Sequence, residues 1–397
     1  MSRPPQLNPK KTSSSSIATI ANLCAALDIT LDELNEVLTI PIADRYTSKQ
    51  IPKKDGTSRT VNNPHFRLRR IQRRINRRLL SNQNVVSWPD HIFGSIPNQR
   101  DGGLYFSKDY VACARAHCES KSILTIDIAS FFDNVHETLV KNIFEDFFKY
   151  SPDVSNVLVN ICCHNGALIQ GALTSSYLAS LALYDVEGSI VERLSRKDLR
   201  YTRLVDDINV SSKITDYNFD YAKSIIEDML ISKDLPVNNS KTKIQYNSSL
   251  SLTVHGLRVG FKEPRLPSDE VRKIRAAVHS VELMAREPQY RTSHPYRHDF
   301  NRCMGRVNKL HRVGHQQHKP LVDRLKKVRP LPSQKDIERA TKIVTKLEAD
   351  YAIKGHTFWY AKRFHLAHER LNVLQRSFKR IAKELRARLK PIRSKYE

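Results

Sequence analysis

The chain has 397 residues, with 66 Lys+Arg against 41 Asp+Glu, a formal net charge of +25 and a hydrophobic fraction of 40%. That length allows two or three domains, and no run of about 18 apolar residues is present, so neither a membrane span nor an apolar signal segment is expected. A positive surplus of this size disfavours a basic partner and predicts a polyanion, nucleic acid in the cytoplasm before a membrane surface.

Residues 1–16 are rich in Pro, Lys and Ser and predict a disordered tail. Residues 17–44 predict a helical segment, with Ile17, Ile20, Leu23 and Leu27 on one face and Leu31, Leu34 and Leu38 on the next. Residues 50–61 predict a hairpin, Ile51 and Val61 flanking a turn of Lys53, Lys54, Asp55 and Gly56. A helix follows over 66–80, with Leu68, Ile71, Ile75 and Leu79 inward. Its other faces carry Arg67, Arg69, Arg70, Arg73, Arg74, Arg77 and Arg78, and backbone phosphates of RNA are their expected target.

Residues 122–128 read as a buried strand ending in an acid, 131–149 and 154–163 as helices, and 172–194 as one long helix. Residues 200–212 read as strand, turn and strand with two acids at the turn. A helix over 218–232 and strands over 243–246 and 252–259 follow. This order predicts a split α+β sheet, not a doubly wound one. Beyond residue 265 the pattern is helical, with a proline break at Arg329-Pro330-Leu331-Pro332 and a last helix over 368–389 whose seam runs through Leu371, Leu374, Phe378, Ile381, Leu385 and Leu389. Residues 261–397 hold 34 Lys+Arg and 14 Asp+Glu, net +20, and are the expected phosphate grip.

Cys24, Cys113, Cys118, Cys162, Cys163 and Cys303 form no CxxC pair and read as buried thiols. His311, His315 and His318 lie among Arg and Lys without an acid and read as surface or RNA contact, not a metal site.

The chemistry is expected at Asp127, Asp206 and Asp207. Adjacent carboxylates in an apolar hairpin repel each other and lose hydration, which divalent cations would relieve. Mg²⁺ takes oxygen ligands and few protein carboxylates, which leaves room for phosphates. Three acids around two such ions suit in-line phosphoryl transfer.

The spacing adds to this. Asp127-Ile-Ala-Ser-Phe-Phe132-Asp133 is followed by Gln170-Gly171, then Asp206-Asp207, then Asn238-Asn-Ser-Lys241-Thr242, then Val254-His255-Gly256-Leu257. This ordered series, spanning about residues 50–260, resembles the palm motifs of reverse transcriptases. The resemblance implies a right-hand polymerase. Fingers and palm would occupy 45–260, a helical thumb 261–330 and a basic helical extension 331–397. It also implies an RNA-directed DNA polymerase that uses two Mg²⁺ ions, with Mn²⁺ as a substitute, and takes dNTPs, an RNA template and a DNA product. Asp127, Asp206, Asp207 and the carbonyl of Ile128 would hold the metals. Phe132 would exclude a 2′-hydroxyl. Lys53, Lys54, Arg59, Gln170, Gly171 and Lys241 would bind the nucleotide, and Val254, His255, Gly256 and Leu257 would support the primer end. Arg69, Arg70, Arg73, Arg74 and Arg77 remain the expected RNA contacts.

The 51–59 hairpin, His91-Ile-Phe-Gly94 and Lys241-Thr242 are similar to bacterial retron enzymes. Cys113-Ala-Arg-Ala-His117, Leu204-Val205-Asp206-Asp207, Ser176 and Val254-His255-Gly256 depart from the retron pattern. They point toward the related unknown-group enzymes of antiviral defence, whose members work with a dedicated structured non-coding RNA. A homo-oligomer through the C-terminal seam, or a partner protein, is a further expectation. Phe132 argues against an RNA-dependent RNA polymerase, and the intact acids argue against an inactive RNA-binding palm.

Overall fold

The computed structural model describes residues 5–52, 56 and 58–396. The chain divides into two compact units, Met1–Arg265 and Leu266–Glu397.

The first unit is built on a five-stranded sheet: β1 (Ile92–Phe93), β2 (Ser122–Asp127), β3 (Arg200–Leu204), β4 (Asp207–Ser212) and β5 (Lys243–Tyr246). The spatial order is β5-β2-β4-β3-β1, antiparallel except for the parallel pair β3–β1. Strand β2 lies between two neighbours and is covered on both faces, so Ile123, Leu124 and Ile126 are fully buried. That burial is why its sequence is a continuous apolar run and not an alternation. Ile208 and Val210 of β4 and Tyr201 of β3 continue the same core.

The helix Phe66–Ile75 buries Leu68, Ile71 and Ile75 as expected, and its last turn widens into a π-helical Asn76–Leu80. Gln72, fully buried beside them, donates to the Tyr46 hydroxyl (2.9 Å) and the Ile161 carbonyl (3.0 Å) and accepts from the Leu173 amide (3.2 Å). A buried amide with its partners supplied stabilises a single packing arrangement. Five of the six cysteines are buried, Cys118 is half-buried, and all are free thiols.

Four expectations are corrected. The disordered tail over 1–16 is not observed for residues 5–16. Lys10–Lys11 pairs with Val86–Ser87, Gln6 binds the Asp90 carboxylate and the Ser87 carbonyl, and Asn8 packs against Gly188. These long-range backbone partners are invisible to a local composition rule. The single helix over 172–194 is two, Ser175–Leu181 and Glu187–Ser195, and the break between them lets Glu187 turn into the core. The strand over 252–259 is a tight hairpin, Thr253–Val254 paired with Leu257–Arg258, with His255 (φ 49°) and Gly256 (φ 76°) as its two turn residues. Both central residues in the left-handed region is the hairpin turn that matches strand twist.

The last helix is also two, Phe358–Leu374 and Lys379–Leu389. Leu371, Leu374, Leu385 and Leu389 close a cluster with Ala340, Val344 and Leu347 of Gln334–Lys354. The seam expected for self-association is therefore consumed within the chain. A second cluster joins Ile274, Val278, Tyr296, Phe300, Val307 and Leu325. The proline break falls between the two clusters. It is tied down by Arg297 to Asp336 (2.9 Å) and Arg376 to the Pro330 carbonyl (2.6 Å), so residues 266–396 form one unit.

Candidate active site

The end of β2 and the turn between β3 and β4 bring the three acids together. Asp127 and Asp207 face each other across the β2–β4 ladder. Leu204 pairs with Asp207, so Val205 and Asp206 make a two-residue turn, and the Asp206 carbonyl accepts from the Ile128 amide (3.0 Å). Val205 takes φ 59°. A β-branched residue in that region costs about 1–3 kcal/mol, and such strain gathers at functional turns.

Asp127 is buried, and its carboxylate accepts from Lys241 Nζ (3.1 Å to each oxygen) and from Asn238 Nδ2 (3.0 Å). Lys241 is held above its ordinary pKa by that hydrogen bond and is a cation standing at the acids. Asp206 is shifted upward, first by burial and then by the Asp127 charge. Asp207 is pushed up to about 6, first by burial and then by the charges of Asp206 and Asp127. Two carboxyls resisting ionisation beside a third mark a site whose lysine, Lys241, does not balance three acids. Among the described residues, no closed cage of acid, His or Cys ligands is formed. The donor set still fits Mg²⁺, which binds through few carboxylates and completes its shell with water and phosphate oxygens.

A pH dependence follows with a definite sign. The folded Asp207 carboxyl holds its proton above its ordinary pKa, so its favourable contribution to the metal-free fold is lost as pH rises through about 6. A divalent metal competes with that proton. Adding Mg²⁺ in place of a chelator should therefore raise the melting temperature more at pH 7.5 than at pH 5. Equal increments at both values would contradict the assignment of these acids to metal.

The hairpin turn carries His255 to the same site, its Nδ1 3.8 Å from Asp207. Burial lowers its pKa to about 4, so at neutral pH this contact is not an ion pair. Its Nε2 lies 3.3 Å from Cys113 Sγ, which donates to Thr202 (3.3 Å), and Thr202 also bonds the buried, neutral His117 (2.7 Å). Two motif departures, Cys113 and His255, thus form one polar chain with Thr202 and His117 that reaches Asp207. The sequence marked both as unusual but not their contact.

The other predicted residues divide. Lys53 and Lys54 lie outside the described residues, and Arg59 is exposed on the hairpin strand Ser58–Pro64. Phe132 is half-buried against the core on the short helix Phe131–Asn134. The Gln170 carbonyl accepts from the Asn62 amide (2.9 Å), and a Cβ at Gly171 (φ 113°) would lie 2.1 Å from the Asn62 carbonyl oxygen. The glycine is required by close approach of the 46–64 hairpin, so Gln170-Gly171 fixes that hairpin to the unit.

On the arginine helix, expected to contact RNA, several side chains already have partners within the chain. Arg70 pairs with Glu33, Arg74 and Arg78 with Asp28 (2.6 and 2.8 Å), and Arg67 with Glu36 (3.4 Å). Arg69 donates to Asn63 (3.1 Å), Arg73 also has a partner, and Arg77 is exposed. Three acids distant in sequence, Asp28, Glu33 and Glu36, pair with four of the seven arginines and leave the face positive.

Residues 51–287 match the family described as reverse transcriptase (RNA-dependent DNA polymerase). The chain is 44% identical to the retron Ec48 reverse transcriptase of Escherichia coli, over 94% of this chain and 91% of that protein. It is 28% identical to the retron Se72 reverse transcriptase of Salmonella heidelberg, over 82% and 83%. Among solved structures it is similar to telomerase from Candida albicans, with 10% identity, a TM-score of 0.38, and 96% and 71% of the two chains covered.

Proposed function

Because the chain belongs to the reverse transcriptase family, with retron enzymes among its relatives, we propose that it copies a dedicated structured non-coding RNA into DNA by two-metal phosphoryl transfer. The observation that carries this is the trio Asp127, Asp206 and Asp207 at one sheet end, two of them with raised pKa. The retron relatives favour a retron enzyme making multicopy single-stranded DNA over the unknown-group lineage, and antiviral defence in the bacterial cytoplasm is the corresponding role.

Two Mg²⁺ ions, with Mn²⁺ as a substitute, would ease loss of the proton from the attacking 3′-hydroxyl and offset the negative charge that develops on the departing pyrophosphate. Asp127, Asp206, Asp207 and the Ile128 carbonyl would hold them. Lys241, already protonated at Asp127, offers a cation to the leaving phosphates. Phe132, half-buried and fixed by its helix, blocks a 2′-hydroxyl. Gln170 and Gly171 set the hairpin that carries Arg59 toward the triphosphate, for which Lys53 and Lys54 are the further proposed ligands. The Val254–Leu257 hairpin supports the primer terminus, with His255 bearing on Asp207.

The test is to purify the protein with its co-bound RNA, add dNTPs and Mg²⁺, and sequence the RNase-resistant product. DNA complementary to one co-purifying RNA, absent from an Asp206→Ala/Asp207→Ala variant, is the expected result. RNA with no DNA under any metal condition would support a binding role alone.

A further inference from the structure

Beneath the acids lies a charged cluster that no step above uses. Arg203 is fully buried, at 0% exposure. Its guanidinium donates to both oxygens of the equally buried Glu187 (2.6 and 2.7 Å), to the Ser180 carbonyl (2.9 Å) and to the Val205 carbonyl (3.1 Å). Tyr201 donates its hydroxyl to Glu187 (2.8 Å). The ion pair holds Glu187 ionised, well below its ordinary range, despite the burial.

Val205 is the strained residue of the acid-bearing turn. Its carbonyl is gripped from inside by Arg203. Its side chain is blocked from outside by Gly94 (φ 104°), where a Cβ would come within 2.9 Å of Val205 Cγ2. An unfavourable backbone conformation persists only where its surroundings over-determine it. A lone buried cation would serve a simple ion pair with Glu187. Arg203 instead extends its planar fork to two carbonyls as well, one of them next to a metal-ligating aspartate.

We infer that Arg203, fixed by Glu187 and Tyr201, is a positioning residue that sets the Val205 turn and so places Asp206 and Asp207 for metal binding. This rests on the proposed role of those two acids.

Replacing a buried ion pair by apolar side chains of similar volume commonly preserves stability, which separates positioning from folding. The test is the full-length triple variant Arg203→Met/Glu187→Leu/Tyr201→Phe, which removes the buried ion pair and its hydroxyl together, while His91 and the Ser180 and Val205 carbonyls lose their contacts. Arg203→Lys runs beside it, keeping the charge opposite Glu187 but not the fork, and decides the matter should the triple variant fail to fold. Melting temperature, kcat, KM for dNTP and half-saturating Mg²⁺ are measured, with Asp206→Asn as reference. The expected result is a retained fold, kcat lower by about 10- to 100-fold, a higher half-saturating Mg²⁺ and little change in KM.

A folded variant with unchanged kcat beside an inactive Asp206→Asn overturns the inference. So does a fallen kcat with unchanged Mg²⁺ demand, since general loosening reduces the active fraction without altering metal affinity. Full activity in Asp206→Asn overturns the proposed metal site and this inference together.

Discussion

Replacing Asp206 with Asn is expected to reduce RNA-templated DNA synthesis by about 10³-fold or more, with RNA binding unchanged and the metal-free protein slightly more stable. The first effect follows from what the carboxylate does at the turn. Charge develops on the leaving pyrophosphate during transfer, and groups fixed beforehand to offset it contribute more than any other single factor. An amide of the same shape keeps the turn but removes the negative charge that holds a cation there. The stability effect follows from the raised pKa of Asp206, caused by burial and by Asp127. Removing a repelled charge relieves the fold, the exchange of stability for activity common at catalytic sites.

Asp127→Asn should be equally inactive but not stabilised, because its charge is already balanced by Lys241 at 3.1 Å. Single-turnover incorporation and thermal melting in chelator measure the two effects. Activity of Asp206→Asn within tenfold of the unaltered protein would remove the acid trio from the mechanism.

RNA affinity is expected to fall by about 10³-fold or more between 50 and 200 mM salt, and most of that dependence should belong to the helical unit of residues 266–396. The two basic surfaces of the chain differ in what they already touch. Arg70 and Arg74 of the first unit are committed to Glu33 and Asp28. In the second unit, Arg272 and Arg275 are exposed and border, with His279 and Arg324, a cleft of about 310 Å³.

Removing one cation that neutralises a phosphate should reduce the slope of log affinity against log salt by about 1. Arg272→Ala/Arg275→Ala should therefore lower the slope by about 2. Arg70→Ala/Arg74→Ala should leave the slope unchanged and lower the melting temperature instead. The reverse pattern in fluorescence-anisotropy titrations at several salt concentrations would return RNA binding to the arginine helix.

Some of this was written in the order of residues alone. The apolar run 122–126 ending in Asp127, and the hairpin around Asp206-Asp207, were legible because strand burial and turn chemistry act over a few residues. The spacing of those motifs also carried the family, since each motif is a short segment fixed to one element. The C-terminal charge was a matter of counting.

Other features depend on partners far apart in sequence, and only the tertiary structure decided them. Arginines spaced along Phe66–Ile75 look free for phosphate until Asp28, Glu33 and Glu36 close on them. Gly171 looks shaped for a ligand until the backbone of Asn62 fills the space. A continuous helix over 172–194 satisfies periodicity, but Glu187 needs the break to reach Arg203, sixteen positions on. Local patterns set which elements form. Long-range ion pairs and close backbone approaches, which no periodicity encodes, set where the acids finally stand.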